Sequence, residues 1–106
     1  MARFLFIARY ASDGVKAIAE SGGTARRTAI ESMASRLGGR VESFDFAFGD
    51  DDLYTIVELP DNQAAAAVAL AVNSTGLVSV RTVVLMTPAE VDAAAGQEVG
   101  YVPPGG

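Results

Sequence analysis

Along this chain the apolar positions alternate between runs suited to strands and the three-to-four spacing of helices. Phe4-Leu5-Phe6-Ile7-Ala8 is an unbroken apolar run between Arg3 and Arg9-Tyr10. A strand buried on both faces has this composition, so the run is expected at the centre of a sheet. Ser12 and Asp13, both N-cap types, precede a short helical piece over Gly14 to Glu20, which Ser21-Gly22-Gly23 interrupts. From Thr24 onward Ile30, Met33, Ala34 and Leu37 recur at i, i+3, i+4, i+7, and Gly38-Gly39 ends this first main helix.

Val41 to Phe48 then alternates, with Phe44, Phe46 and Phe48 on one face and Ser43, Asp45 and Ala47 on the other, the pattern of an edge or half-buried strand. Leu53 to Leu59 is apolar on both faces and is expected to be central, joined to its predecessor by a tight turn around Gly49-Asp50-Asp51-Asp52. Pro60 stops that strand, and Asp61 caps a helix over Asn62 to about Asn73 that is rich in alanine almost all round. Such a helix packs closely on a sheet and is suited to touching a neighbouring subunit.

After Asn73-Ser74-Thr75-Gly76, Leu77 to Met86 is a valine-rich fourth strand. Thr87-Pro88-Ala89-Glu90 has a cap, a proline at the first helical position and an acid three residues beyond the cap, the signature of a capping box on a short third helix. Gly100 to Gly106 reads as a Pro-rich arm with Tyr101 as its anchor on the domain or on a partner. The order strand, helix, strand, strand, helix, strand predicts an α+β, ferredoxin-like βαββαβ sandwich, a single domain over 1–106. Its core spans about 3–87, with the extra C-terminal helix and arm over 88–106. In that topology the first and third strands are central, in agreement with their apolar composition.

Composition adds limits. Half of the 106 residues are hydrophobic, and the mean hydropathy is +0.28. That is high for a sheet with only one dry face, and self-association into a homodimer or higher oligomer would bury the surplus. Thirteen acidic and eight basic side chains leave a net charge of −5, which disfavours nucleic acid and anionic membrane as partners. With no cysteine there are no disulfides, thiolate nucleophiles or Cys-type zinc sites. With no histidine, the usual general base near neutral pH and the commonest transition-metal ligand are missing too. No export signal or bilayer-length apolar stretch is expected, so the chain reads as a cytoplasmic protein without cofactors.

Asp50, Asp51 and Asp52 place three carboxylates in succession. Together they could hold a hard cation or raise the pKa of one acid. Successive residues on an extended chain point to alternate sides, however, and an Asp-rich turn needs no ligand to explain it; no metal site is assigned. Arg81, amid an apolar strand, calls for a partner, with Glu58 or Asp52 the candidates, across the sheet or across a subunit interface. Arg26, Arg27, Arg36 and Arg40 form the only basic cluster and read as a solvated helix face, with Glu20 or Glu31 as partners. A weaker reading places an anion at the helix N-terminus beside Gly22-Gly23. Tyr10 and Tyr101 are candidate hydroxyl donors, though an amphipathic packing role suffices for both.

The succession Phe44-Asp45-Phe46-Ala47-Phe48-Gly49-Asp50-Asp51-Asp52, an apolar strand and Pro60-Asp61, with Gly38-Gly39 upstream, resembles the GYD domain family of small bacterial proteins without an assigned activity. The resemblance extends from Phe4 through Asp13-Gly14-Val15-Lys16 to Tyr101-Val102-Pro103-Pro104-Gly105. Gly49 and Asp52 hold the outer positions of the family's Gly, Tyr, Asp signature, and Asp51 stands where the tyrosine is expected. What the resemblance implies is a dimeric α+β barrel type of ferredoxin-like fold, with two sheets meeting through the faces not covered by helices.

In such a barrel Phe4, Phe6, Phe44, Phe46 and Tyr54 would line an aromatic pocket, with Arg81 and Glu58 orienting a ligand; the simpler role for these aromatics is core packing. The leading functional expectation is a homo-oligomeric, non-catalytic domain that binds a small molecule or regulates. One alternative is a cofactor-independent enzyme of acid–base type, an isomerase or decarboxylase, with Asp52 or Glu58 as base and Arg81 or a tyrosine stabilising an oxyanion. Another is an assembly protein without a ligand.

Overall fold

The computed structural model describes residues 1–106. In chain order the elements are β1 (Ala2–Tyr10), α1 (Ser12–Ser21), α2 (Gly23–Arg36), β2 (Arg40–Phe46), β3 (Leu53–Leu59), α3 (Asn62–Asn73), β4 (Val78–Leu85) and α4 (Pro88–Ala95). The strands form one sheet in the order β2-β3-β1-β4, antiparallel throughout. This is the ferredoxin-like topology, with β1 and β3 at the centre as their two-sided apolar composition requires.

The sheet is open, which corrects the expected barrel. β2 pairs only with β3, and β4 only with β1, so each leaves one edge unpaired.

The two faces of the sheet differ. Phe4, Phe6 and Ala8 of β1 point toward the helices, as do Leu53, Thr55, Val57 and Leu59 of β3, and there they meet Ala34 of α2 and Ala65 and Val68 of α3. Thr55 is the one buried polar residue, and its hydroxyl donates to the Ser43 carbonyl at 2.7 Å. The opposite face carries Leu5, Ile7, Tyr54, Ile56, Val83 and Leu85 and has no helix over it. A bulge between Val41 and Ser43 takes Glu42 out of the ladder, and Glu42 forms an ion pair with Arg3 at 2.7 Å.

Helix boundaries follow from local chemistry. Asp61 accepts from the Ala64 amide at 2.9 Å and starts α3. Thr87 and Glu90 form the reciprocal capping box of α4. At α1 the cap position falls on Ala11, one residue before the expected Ser12, and no side chain caps it. α2 also begins without a side-chain cap, after Gly22 at φ 89°. Two further expectations shift. Phe48, at φ 53°, has left the strand, which ends at Phe46, and stacks on Phe46 with ring centroids 5.4 Å apart. Tyr101 is 74% exposed and is not anchored on the domain.

Candidate functional site

The Asp-rich connector is held to the end of the β1/β4 pair at three points. Arg9 donates through Nε to the Asp50 carbonyl at 2.8 Å. Arg81 Nη2 donates to Asp51 Oδ2 at 2.8 Å. Asp52 Oδ2 accepts from the Tyr10 amide, and the Asp52 amide donates to the Ala8 carbonyl, both at 2.8 Å. Each of the three aspartates thus has a separate partner, and no three acidic side chains are grouped so that they could hold a metal ion. Ile7, Arg9, Asp51, Ser79 and Arg81 enclose a shallow polar depression of about 250 Å³ on the uncovered face.

Asp52, Glu58 and Arg81 do not converge. Arg81 pairs with Asp51 rather than with Glu58 or Asp52, while Glu58 forms its ion pair with Arg40 at the other end of β3. Arg81 lies level with Ile7 and Tyr54 in the ladder, and Glu58 is four residues further along, about 13 Å at strand spacing. The aromatic set is also divided. Phe4 and Phe6 are buried against the helices, and Phe44 and Phe46 pack at that same face's edge. Tyr54, like Arg81, lies on the uncovered face, 38% exposed. Phe4, Phe6, Phe44 and Phe46 therefore do not share a pocket with Tyr54 and Arg81.

A cleft of about 460 Å³ lies on the helix side, bounded by α1, α2, α3 and the start of β4. Its walls are mostly small or apolar: Gly14, Ala17, Ile18, Ala25, Ala29, Ala71, Val72, Leu77 and Val78. Tyr10, Arg26, Val72 and Val78 also border a separate, smaller unfilled space of about 40 Å³ that is lined by Phe6, Leu53 and Val57 as well. The opening follows from how the helices lean: α2 packs chiefly on β2, and α3 on β4. Alanines on the facing surfaces leave the gap between them unfilled.

Arg26 is the only charged residue in the cleft lining. Its Nε is buried without a hydrogen-bond partner, and it belongs to none of the ion pairs. Its neighbour Arg27 does match the solvated-face reading, pairing with Glu31 at 3.5 Å. Sequence reasoning grouped the two arginines, but the signal separating them is in the spacing. Arg26 stands four residues before Ile30, on the same helical stripe as Met33, Ala34 and Leu37. Gly22, Tyr10 and Arg26, three separate features of the sequence, border one cleft.

No helix is long and apolar enough to cross a membrane. Among known families, the model of the GYD domain matches residues 4–95. No curated protein and no solved structure matches the chain.

Proposed function

We propose that this chain, which belongs to the GYD domain family, acts as a homo-oligomeric, non-catalytic domain that binds a small apolar molecule in the cleft bounded by α1, α2 and α3. The observation that carries the reading is the cleft itself: about 460 Å³, within the range of small-molecule sites, and mostly apolar in lining. Against an acid–base role stands the engagement of both candidate bases, Asp52 with the Tyr10 amide and Glu58 with Arg40. A role in assembly alone gives no account of the unfilled cleft.

The homo-oligomer rests on a different surface. The uncovered sheet face presents Leu5, Ile56, Tyr54 and Val83, the last two 38% and 40% exposed, and such an apolar face favours a second copy. Around it Arg3–Glu42, Arg40–Glu58 and Arg81–Asp51 are paired within the chain, so the rim offers little net charge to repel that copy. Light scattering coupled to size exclusion reads the mass directly, and a monomer at high concentration removes the oligomer from the proposal.

Ligand binding is tested with the uncharged fluorophore N-phenylnaphthylamine. Saturable binding is expected, and Ala29→Phe with Ala71→Phe, which fill the cleft from exposed positions on its walls, should abolish it. Binding that survives both substitutions would place the fluorophore elsewhere and overturn the cleft as the site.

A further inference from the structure

We infer that the cleft selects an amphiphilic monoanion, its carboxylate held by the Arg26 guanidinium and its alkyl or aryl body lying against Ala71, Val72 and Val78. The inference rests on the proposal that the cleft binds a ligand, and adds the ligand's chemical class.

The Nε–H of Arg26 is buried with nothing to accept its hydrogen bond. A buried donor on a charged group carries a large penalty when unpaired, and native structures leave few such groups without a partner. No acidic side chain lines the cleft to supply one, although the chain has an excess of acids and a net charge of −5. Arg26 is thus the one cation of the cleft, with no carboxylate beside it, and that uncompensated charge points to a bound anion at its Nη groups, the Nε being too enclosed for a ligand in the cleft to reach. Ser21, Gly22 and Ala25 at the start of α2 border the same cleft, and α2 has no side-chain cap. The positive end of the helix dipole thus reinforces the one cation.

The chemistry narrows the class further. With one guanidinium, and with neither a second cation nor a Gly-rich phosphate loop, the site suits a single negative charge better than a phosphate dianion. A guanidinium fork matches the two oxygens of a carboxylate. No other charged group lines the walls, so most of the ligand must be apolar and lie along the alanine and valine side chains.

The test compares three probes with the same chain and different heads, octanoate, octanol and octylammonium, titrated into the full-length protein and followed by amide and arginine side-chain NMR. Octanoate is expected to shift the Arg26 Nε–H and the amides of Tyr10, Ala29 and Val72, and to bind roughly tenfold or more tightly than octanol, the scale of one charge-assisted hydrogen bond. Arg26→Met should remove that preference, bringing octanoate and octanol to similar affinities, and Arg26→Lys should retain part of it. Equal affinity for octanoate and octanol, unaltered by Arg26→Met, would overturn the anion inference and leave the cleft as an apolar site. Tighter binding of octylammonium would overturn it as well. If none of the three perturbs residues of the cleft, the binding proposal fails and this inference with it.

Discussion

Asp52 Oδ2 accepts a hydrogen bond from the backbone amide of Tyr10 at 2.8 Å, while the Asp52 amide donates to the Ala8 carbonyl at the same distance. One residue of the connector thereby continues the β3-side pairing of β1 past its last ladder partner, Leu53 opposite Ala8. The carboxylate here stands in for a strand carbonyl, which is a structural reason for an aspartate at the end of the Gly49–Asp52 segment.

Asp52→Ala should leave the Tyr10 amide without its acceptor. The expected loss is about 1–3 kcal/mol, the cost of stranding a partly buried donor. Asp52→Asn, which keeps an oxygen in place, should lose less. Urea denaturation of the two variants checks the order; equal stability of Asp52→Ala and the parent would mean that the amide is satisfied by water instead.

A second constraint sits where α2 turns into β2. A Cβ on Gly39 would lie 1.9 Å from the Glu58 carbonyl oxygen, so the neighbouring strand backbone would have to move. The expected cost of Gly39→Ala is about 1–3 kcal/mol, as for other forced overpacking. At Gly38 a Cβ meets only the Pro60 ring at 3.6 Å, but φ is 82°, and Gly38→Ala should cost about 1–2 kcal/mol through the left-handed conformation alone. Pro60→Ala added to Gly38→Ala should recover no stability if the left-handed backbone, rather than contact with the Pro60 ring, is the cause.

Arg81 and Asp51 form an ion pair whose arginine side chain is 66% exposed. Exposed pairs contribute little, so Arg81→Ala should change stability by no more than about 1 kcal/mol, and the difference should shrink in high salt. A double-mutant cycle with Asp51→Ala measures the coupling. A coupling well above that value would show that the pair is shielded from solvent, as a second copy on the uncovered face would shield it.

The ferredoxin-like order was legible because each element carried its own signal: unbroken apolar runs for β1 and β3, Asp61 and Thr87 as caps, glycine pairs as stops. Closure into a barrel was not, because it depends on which edges pair, and an edge strand such as β2 has the same alternation whether or not its outer edge finds a partner. Asp52 stood out within the Asp-rich segment, but its partner Tyr10 is 42 residues away and periodicity cannot reach that far. The division of the aromatics between the two faces follows from residue parity in the ladder, Phe4 and Phe6 against Tyr54. Arg26 was concealed by its neighbour Arg27, although the stripe through Ile30, Met33 and Leu37 already included it.

The capping box of α4 gives the chain an acid-sensitive end. The Glu90 carboxylate lies below its ordinary value, first because it accepts from the Thr87 amide and then through the Thr87 side chain, with Arg3 and the N-terminal ammonium adding weaker attraction. A carboxylate whose pKa is lowered in the folded state stabilises that state at pH above its unfolded value, and the contribution is lost as pH falls through the folded value. α4 should therefore be fully capped at neutral pH and fray as the solution is acidified from the ordinary carboxylate value of 4.5 downward. The group is exposed, so the effect belongs to the helix end and leaves the sheet untouched. Titration of the Glu90 side-chain carboxyl carbon by NMR should give a midpoint below that of an unstructured glutamate, with the Thr87 amide resonance moving at the same pH. Glu90→Gln should abolish the pH dependence at Thr87 while retaining part of the cap. A Thr87 amide that does not follow the Glu90 titration would mean that the reciprocal hydrogen bond is absent in solution.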